Sequence, residues 1–121
     1  MDIYEQHEKA FNRVSAFVVM RDGKRVATVA IKFPADGAGR LWAYVHWLGV
    51  PMVRGYANGY GYDKRTAAVS TCAAKVMTLA KKEPRSDLDS PADFCAAIAK
   101  DSGDDWTRSL EKAGFTVHQA V

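Results

Sequence analysis

The sequence contains little cysteine, and it lacks both a long apolar run and a strong excess of one charge. Its two cysteines, Cys72 and Cys95, form no Cys-x-x-Cys pair, and both lie in alanine-rich segments with a helical pattern. A free cysteine in such a segment behaves as a small apolar residue. We therefore expect two reduced thiols, with a disulfide between the two segments as the alternative.

Further absences disfavour membrane-spanning proteins, secreted proteins and dedicated duplex-binding domains. No apolar run approaches the roughly 20 residues that span a bilayer, and the stretch from Met1 to Arg13 lacks the apolar core of a signal peptide. We expect a cytoplasmic protein with no membrane partner. The net charge is only +3, from 17 Lys and Arg against 14 Asp and Glu. A dedicated duplex-binding domain usually concentrates more positive charge.

What the sequence does contain is the composition of an ordinary globular domain. Hydrophobic residues make up 48% of the 121 positions and charged residues 26%, which suffices for a core without disulfides or metals at this length. The order of strand and helix patterns predicts a single α+β domain over residues 1–121. We expect a three-stranded antiparallel sheet packed against helices, with two short C-terminal helices and a terminal strand.

The clearest local pattern is a β-hairpin near the N-terminus. A first strand over Ser15–Met20 and a second over Val26–Ile31 are rich in β-branched residues. The pair Asp22-Gly23 lies between them and tolerates the positive φ angles of a tight hairpin turn. A short helix over Asp2–Arg13 is predicted before the hairpin, because its apolar residues have roughly helical spacing.

A third strand, from about Arg40 to Leu48, is apolar or aromatic on both faces. Such a strand is either covered on both sides or displays an aromatic surface. Trp42 and Tyr44 fall on the same face, which also suits a homodimer interface. One face carries Leu41, Ala43, Val45 and Trp47, and the other carries Trp42, Tyr44, His46 and Leu48.

Three helices and a strand are predicted in the C-terminal half. They are a helix from Asp63 to about Lys82, a helix after Ser90-Pro91, a helix over about Asp104–Ala113 and a strand over Phe115–Val121. The first begins with an Asp N-cap, and the second has Pro at its first position. Gly114 is predicted to end the third helix as a C′ glycine. The buried stripe of the first helix is predicted to be Ala68, Cys72, Val76, Leu79 and Ala80.

The segment from Arg54 to Tyr62 is predicted to be a flexible loop, because it is composed largely of glycine, tyrosine and asparagine. Tyrosine gives a large contact area at little entropic cost, and arginine adds bidentate and stacking contacts. The loop is therefore a candidate for gripping a protein surface or for stacking on nucleotide bases. An ordinary connection is the alternative. The predicted partner-binding residues are Trp42, Arg54, Tyr56, Tyr60 and Tyr62.

No pattern of catalytic or metal-binding residues is recognisable. His7, His46 and His118 lie on three different elements without the ligand spacing of a zinc site, and no serine or cysteine occupies a nucleophile elbow. Cys72 is a poor nucleophile candidate, because its surroundings in mid-helix should raise its pKa. We predict a protein that is not an enzyme, with no catalytic residues, no metal and no cofactor. His46 as a general base is the alternative, enzymatic hypothesis.

The start of the long helix carries the run Gly59-Tyr60-Gly61-Tyr62-Asp63-Lys64-Arg65, followed by Ala67. This run resembles the Gly-x-Gly-x-Ser-Lys-Lys-x-Ala motif at the second helix of double-stranded-RNA-binding domains. The predicted order of helix, three strands and helix is also similar to that family. The resemblance implies a nucleic-acid-binding module whose Lys64 and Arg65 contact phosphates across a groove. Asp63 replaces the serine of the family, and three further elements follow.

A second resemblance covers the middle third of the chain, from Gly39 to Tyr56, which reads GRLWAYVHWLGVPMVRGY. This stretch resembles small uncharacterised proteins carried by phages and mobile elements of proteobacteria. Small proteins of that setting without catalytic residues include anti-CRISPR inhibitors, which block a defence complex by binding it. The resemblance implies a non-enzymatic inhibitor in the host-cell cytoplasm, with a bacterial protein or ribonucleoprotein complex as its partner.

Overall fold

The computed structural model describes residues 14–32, 40–58, 62–82, 91–100 and 105–120. The strands are β1 (Val14–Arg21), β2 (Lys24–Lys32), β3 (Arg40–Trp47), β4 (Val53–Asn58) and β5 (Thr116–Gln119), and the helices are α1 (Tyr62–Lys82), α2 (Ala92–Lys100) and α3 (Trp106–Lys112). The predicted N-terminal helix lies outside the described residues. Among the helices of the described ranges, none is both long and apolar enough to cross a bilayer.

The strands form one antiparallel sheet in the order β4-β3-β2-β1-β5. The α+β fold class is confirmed, but the prediction of a three-stranded sheet is wrong, because the sheet has five strands. One of the two additional strands, β5, is the predicted terminal strand, for which pairing with the edge of the front sheet was one possibility, and it extends the sheet by pairing with β1. The other, β4, occupies residues that were predicted to form a loop.

The hairpin of β1 and β2 is confirmed. Asp22 and Gly23 form its two-residue turn with φ angles of 53° and 78°, and Arg21 pairs with Lys24 on either side of them. Two successive positive φ angles match the right-handed twist of the flanking strands, which explains why Asp-Gly is found here.

The loop predicted from Arg54 onwards is instead strand β4, which pairs antiparallel with β3. Its residues alternate: Val53, Gly55 and Ala57 are buried or half-buried, while Arg54 and Tyr56 are exposed. Small residues on the inward face allow α1 to approach closely. The Gly and Asn content of this segment resembles that of a loop, but the period of two is that of a strand.

The described helices pack on one face of the sheet, where the core lies. From β3 this face contributes Leu41, Ala43, Val45 and Trp47, which lie on one face as predicted and are all buried. Trp47 contacts Phe94 of α2 with ring centroids 5.3 Å apart. At the other end of the sheet, Phe17 of β1 meets Trp106 of α3 edge to face at 5.0 Å.

Capping residues are found at both ends of α3. Asp105 is the N-cap of α3, and its carboxylate accepts hydrogen bonds from the backbone N–H and the hydroxyl of Thr107. Gly114 follows the helix with a φ of 97°, as expected for a C′ glycine. α2 is joined to the sheet by a 2.7 Å ion pair between Arg21 and Asp93.

A substitution at Gly55 is expected to destabilise the protein. A Cβ atom here would lie 3.0 Å from the carbonyl oxygen of Ala68 and 3.0 Å from Cβ of Thr71. Because one of these contacts is backbone, Gly55→Ala must push α1 away from β4. We expect a loss of about 1–3 kcal/mol in the free energy of unfolding, measured by urea denaturation.

The matched control is Arg54→Ala, at the adjacent position on the opposite face of β4. It removes an exposed side chain and creates no clash, so its expected cost stays below about 1 kcal/mol. Equal unfolding midpoints for the two variants would contradict the close approach of α1 to Gly55.

Candidate functional site

The face of the sheet opposite the core is covered by none of the three described helices, and in this sense we call it the helix-free face. From β3 it displays Trp42 and Tyr44, both half-buried, and His46, which is exposed. From β4 it displays Arg54 and Tyr56, and Tyr56 is 45% exposed. β3 is therefore covered by helices on one side and carries an aromatic surface on the other, which is one of the two outcomes predicted for it.

Four side chains at the β4 edge of this face interleave cations with aromatic rings. The rings of Trp42 and Tyr56 lie 5.3 Å apart with an interplanar angle of 50°. The guanidinium carbon of Arg40 lies 4.5 Å from the centroid of the Tyr56 ring, and that of Arg54 lies 5.1 Å from the Trp42 ring. These distances are those of cation–π contacts. We call Arg40, Trp42, Arg54 and Tyr56 the Arg–aromatic surface.

Strand register produces this arrangement. Lys32 of β2, Trp42 of β3 and Tyr56 of β4 are direct cross-strand neighbours and form one row across the sheet. In the next row, Tyr44 is paired with Arg54. Neighbouring strands lie about 4.8 Å apart, so each aromatic ring is within reach of a cation in its own row or the adjacent one.

The backbone beneath these side chains is held by α1. Lys75 of α1 donates a hydrogen bond from Nζ to the carbonyl oxygen of Arg54. The next residue, Gly55, lies against Ala68 and Thr71 of the same helix. Contacts with α1 on the core side therefore fix the position of the strand that carries the outward side chains of β4.

Charge is segregated between the sheet and the rest of the chain. The five strands contain no Asp or Glu, so all 14 acidic residues lie outside them. Four of the strands' basic residues fall on the helix-free face by register, and together they make that face positive. The basic residues of the strands are Arg21, Lys24, Arg25, Lys32, Arg40 and Arg54, and the four on the helix-free face are Arg25, Lys32, Arg40 and Arg54.

The structure brings three of the five predicted partner-binding residues together, namely Trp42, Arg54 and Tyr56. Tyr60 lies outside the described residues, and the structure gives for Tyr62 only its place at the start of α1. The expected loop is a strand up to Asn58, but its first arginine and first tyrosine are exposed as the hypothesis required.

Lys64 and Arg65, the residues of the nucleic-acid alternative, lie in the first turns of α1. Both are half-buried and both take part in interactions within the protein. Four strands precede this helix, whereas the resemblance to double-stranded-RNA-binding domains implies three. The extra strand β4 separates the third strand from the motif that carries the resemblance.

His46 is exposed on the helix-free face, and none of the three described helices packs over it. It lines a shallow depression of about 140 Å³ together with Arg25, Ala27, Thr28 and Leu48. No carboxylate and no nucleophilic cysteine is among these lining residues. Within the described ranges, no group of three or more His, Cys, Asp and Glu side chains is placed to hold a metal ion.

Arg40 was not among the predicted site residues, and neither were Lys32 and Arg25. Arg40 is the first residue of β3 and follows Gly39 in the sequence. For Arg40 and Lys32 the signal is the absence of acidic residues from the strand segments combined with the period of two, which puts these cations on the face of Trp42. Arg25 reaches that face only through the register shift after Val19, so the alternation of β2 does not identify it.

Both thiols are free, and neither belongs to the Arg–aromatic surface. Cys72 is buried and donates a hydrogen bond to the carbonyl oxygen of Ala43 at 3.2 Å, and half-buried Cys95 donates one to Ala73 at 3.1 Å. Burial raises the pKa of both thiols to about 11. The expectation that Cys72 is a poor nucleophile agrees with this shift.

Comparison of the chain with family models, with curated proteins and with solved structures finds no match.

The native thiols are expected to resist alkylation. Folding favours the protonated form, so below pH 9.0, the ordinary pKa of a cysteine, both thiols stay protonated in the folded protein. The stability gained from this is lost as the pH rises from 9.0 towards about 11. Iodoacetamide labelling followed by mass spectrometry should find both cysteines unmodified in native protein and modified in urea. Rapid labelling of native Cys72 at neutral pH would contradict its burial.

Proposed function

We propose that this protein acts by binding and not by catalysis, and that the Arg–aromatic surface is its contact region. The proposed partner is a bacterial protein or ribonucleoprotein complex of a defence system, as for an anti-CRISPR-like inhibitor. The observation that carries this proposal is the alternation of two arginines with two aromatic rings on a sheet face that none of the described helices covers.

The residue types of this surface are those that dominate binding energy at protein interfaces. Trp, Tyr and Arg are enriched among interface residues whose truncation costs about 2 kcal/mol or more. Here one Trp, one Tyr and two Arg are adjacent, and Tyr56 is 45% exposed. Few surfaces of a small domain would expose such a group without a partner, because exposed aromatic area is unfavourable in water.

The rigid backing of the surface supports a binding role as well. Arg40 and Arg54 each rest on a ring, and Arg54 belongs to a strand whose backbone is bonded to Lys75. Side chains that are already ordered lose less conformational entropy on binding, so more of the contact energy becomes affinity.

The resemblance to phage and mobile-element proteins bears on the same part of the molecule. The stretch from Gly39 to Tyr56 contains all of β3 and the first four of the six residues of β4, and it includes each residue of the Arg–aromatic surface. An inhibitor of a defence ribonucleoprotein needs a positive, aromatic contact region if it touches the RNA-rich parts of that complex.

The proposal predicts that the surface is required for inhibition in cells. The protein would be produced in bacteria that carry a CRISPR effector directed against a phage, and phage plating would be measured. The wild-type protein is expected to restore plating and to co-purify with the effector complex. The double variant Arg54→Ala/Tyr56→Ala is expected to lose both activities while keeping its melting temperature.

A control variant separates contact from general electrostatics, because it removes two cations where Arg54→Ala/Tyr56→Ala removes one. Lys81→Ala/Lys82→Ala removes two exposed cations from the end of α1, away from the sheet face. This control should behave like the wild-type protein. Full activity of Arg54→Ala/Tyr56→Ala in a system that the wild-type protein inhibits would contradict the proposed contact region.

A further inference from the structure

We infer that the Arg–aromatic surface binds single-stranded nucleic acid, RNA or DNA. This inference rests on the proposed function in treating that surface as the contact region, and it names the chemistry of what the surface touches. It differs from the alternative drawn from Lys64 and Arg65, because it uses the sheet face and not the start of α1.

Charge complementarity is the first step of the argument. The helix-free face carries Arg25, Lys32, Arg40 and Arg54, and the five strands contain no acidic residue to oppose them. The modest net charge of +3 conceals this concentration, because the acidic residues lie in other segments. A polyanion therefore meets only cations along the rows of this sheet.

The aromatic rings identify which polyanion fits. Lys32, Trp42 and Tyr56 form one row across three strands. A cation that can contact phosphate therefore lies in the same row as two aromatic rings. Bases stack on aromatic side chains and on the planes of arginine side chains, whatever the sequence. The Arg40 and Arg54 guanidinium groups lie over the two rings, which extends the series of planar groups on the surface.

A single strand fits this surface better than a duplex does. The bases of a duplex are paired and stacked on each other, so a flat sheet face contacts only its backbone and cannot use Trp42 or Tyr56. An acidic protein surface would satisfy the arginines but would leave the stacking capacity of the rings unused. The combination of rings and cations thus favours unpaired nucleotides.

The test is direct binding of defined oligonucleotides to the purified full-length protein. The probes are fluorescein-labelled RNA and DNA of about 15 nucleotides without self-complementarity, a length within known single-strand site sizes, and the duplex of the same DNA. Fluorescence anisotropy would be recorded between about 50 and 200 mM salt. We expect binding of at least one single strand, tighter than binding of the duplex, with affinity that falls as salt rises.

Three variants assign the binding to the surface. Arg40→Gln/Arg54→Gln should weaken binding at least about 10-fold and reduce the salt slope by about two, one for each phosphate contact. Tyr56→Leu should weaken it about 5-fold or more with an unchanged salt slope, since it removes stacking and not charge. The control Lys81→Gln/Lys82→Gln loses the same charge elsewhere and should stay within about 2-fold of the wild type.

Each alternative outcome is informative. Binding of RNA alone, of DNA alone or of both supports the inference and identifies the source of the strand. Absence of binding at low salt, duplex binding as tight as single-strand binding, or equal loss in the lysine control would overturn it. If oligonucleotides do not bind but a nuclease-treated defence complex is still retained through Arg54 and Tyr56, the proposed function stands and only this inference fails.

Discussion

The close contact of α1 with β3 and β4 is the constraint on which the rest of this structure depends. It is possible because the residues between the helix and the strands are small. The carbonyl oxygen of Ala43 accepts a hydrogen bond from Cys72, and a Cβ atom at Gly55 would lie only 3.0 Å from Ala68 and Thr71. A helix held this close covers one face of both strands. The side chains on the other face of β3 and β4 do not contribute to the core. Large aromatic and cationic residues are therefore compatible with the fold at these positions.

The sequence predicts several features of the fold because their signals are local. The Asp22-Gly23 turn, the two alternating faces of β3 and the C′ glycine Gly114 each follow from a short pattern, and each is found where expected. β4 was missed because Gly55 and Asn58 are typical loop residues. The reason for a glycine inside a strand is its contact with a helix that begins several residues later. No local pattern contains that information, since it arises only when α1 packs on the sheet.

The candidate site was predicted in part for the same reason. Trp42, Arg54 and Tyr56 were selected by residue type, and type alone is a good guide to residues that bind. Arg40 could not be selected in this way, because its contact with the Tyr56 ring depends on the register between the neighbouring strands β3 and β4. Conversely, the resemblance at Lys64 and Arg65 drew attention to a helix start whose side chains are half-buried. Sequence identifies the chemistry of a surface more readily than its boundaries.

The Arg–aromatic surface lies at the edge of the sheet that β4 forms. An exposed edge strand offers unpaired backbone groups to any neighbouring strand. Lys75 donates a hydrogen bond to the carbonyl oxygen of Arg54 in this strand, and a lysine beside an edge strand opposes further strand pairing by its charge. The same side chain that protects the edge therefore fixes the strand that presents Arg54 and Tyr56. A partner would then be contacted by the side chains on the face of the sheet and not by the backbone at the edge of β4. This agrees with the cations and aromatic rings of the Arg–aromatic surface.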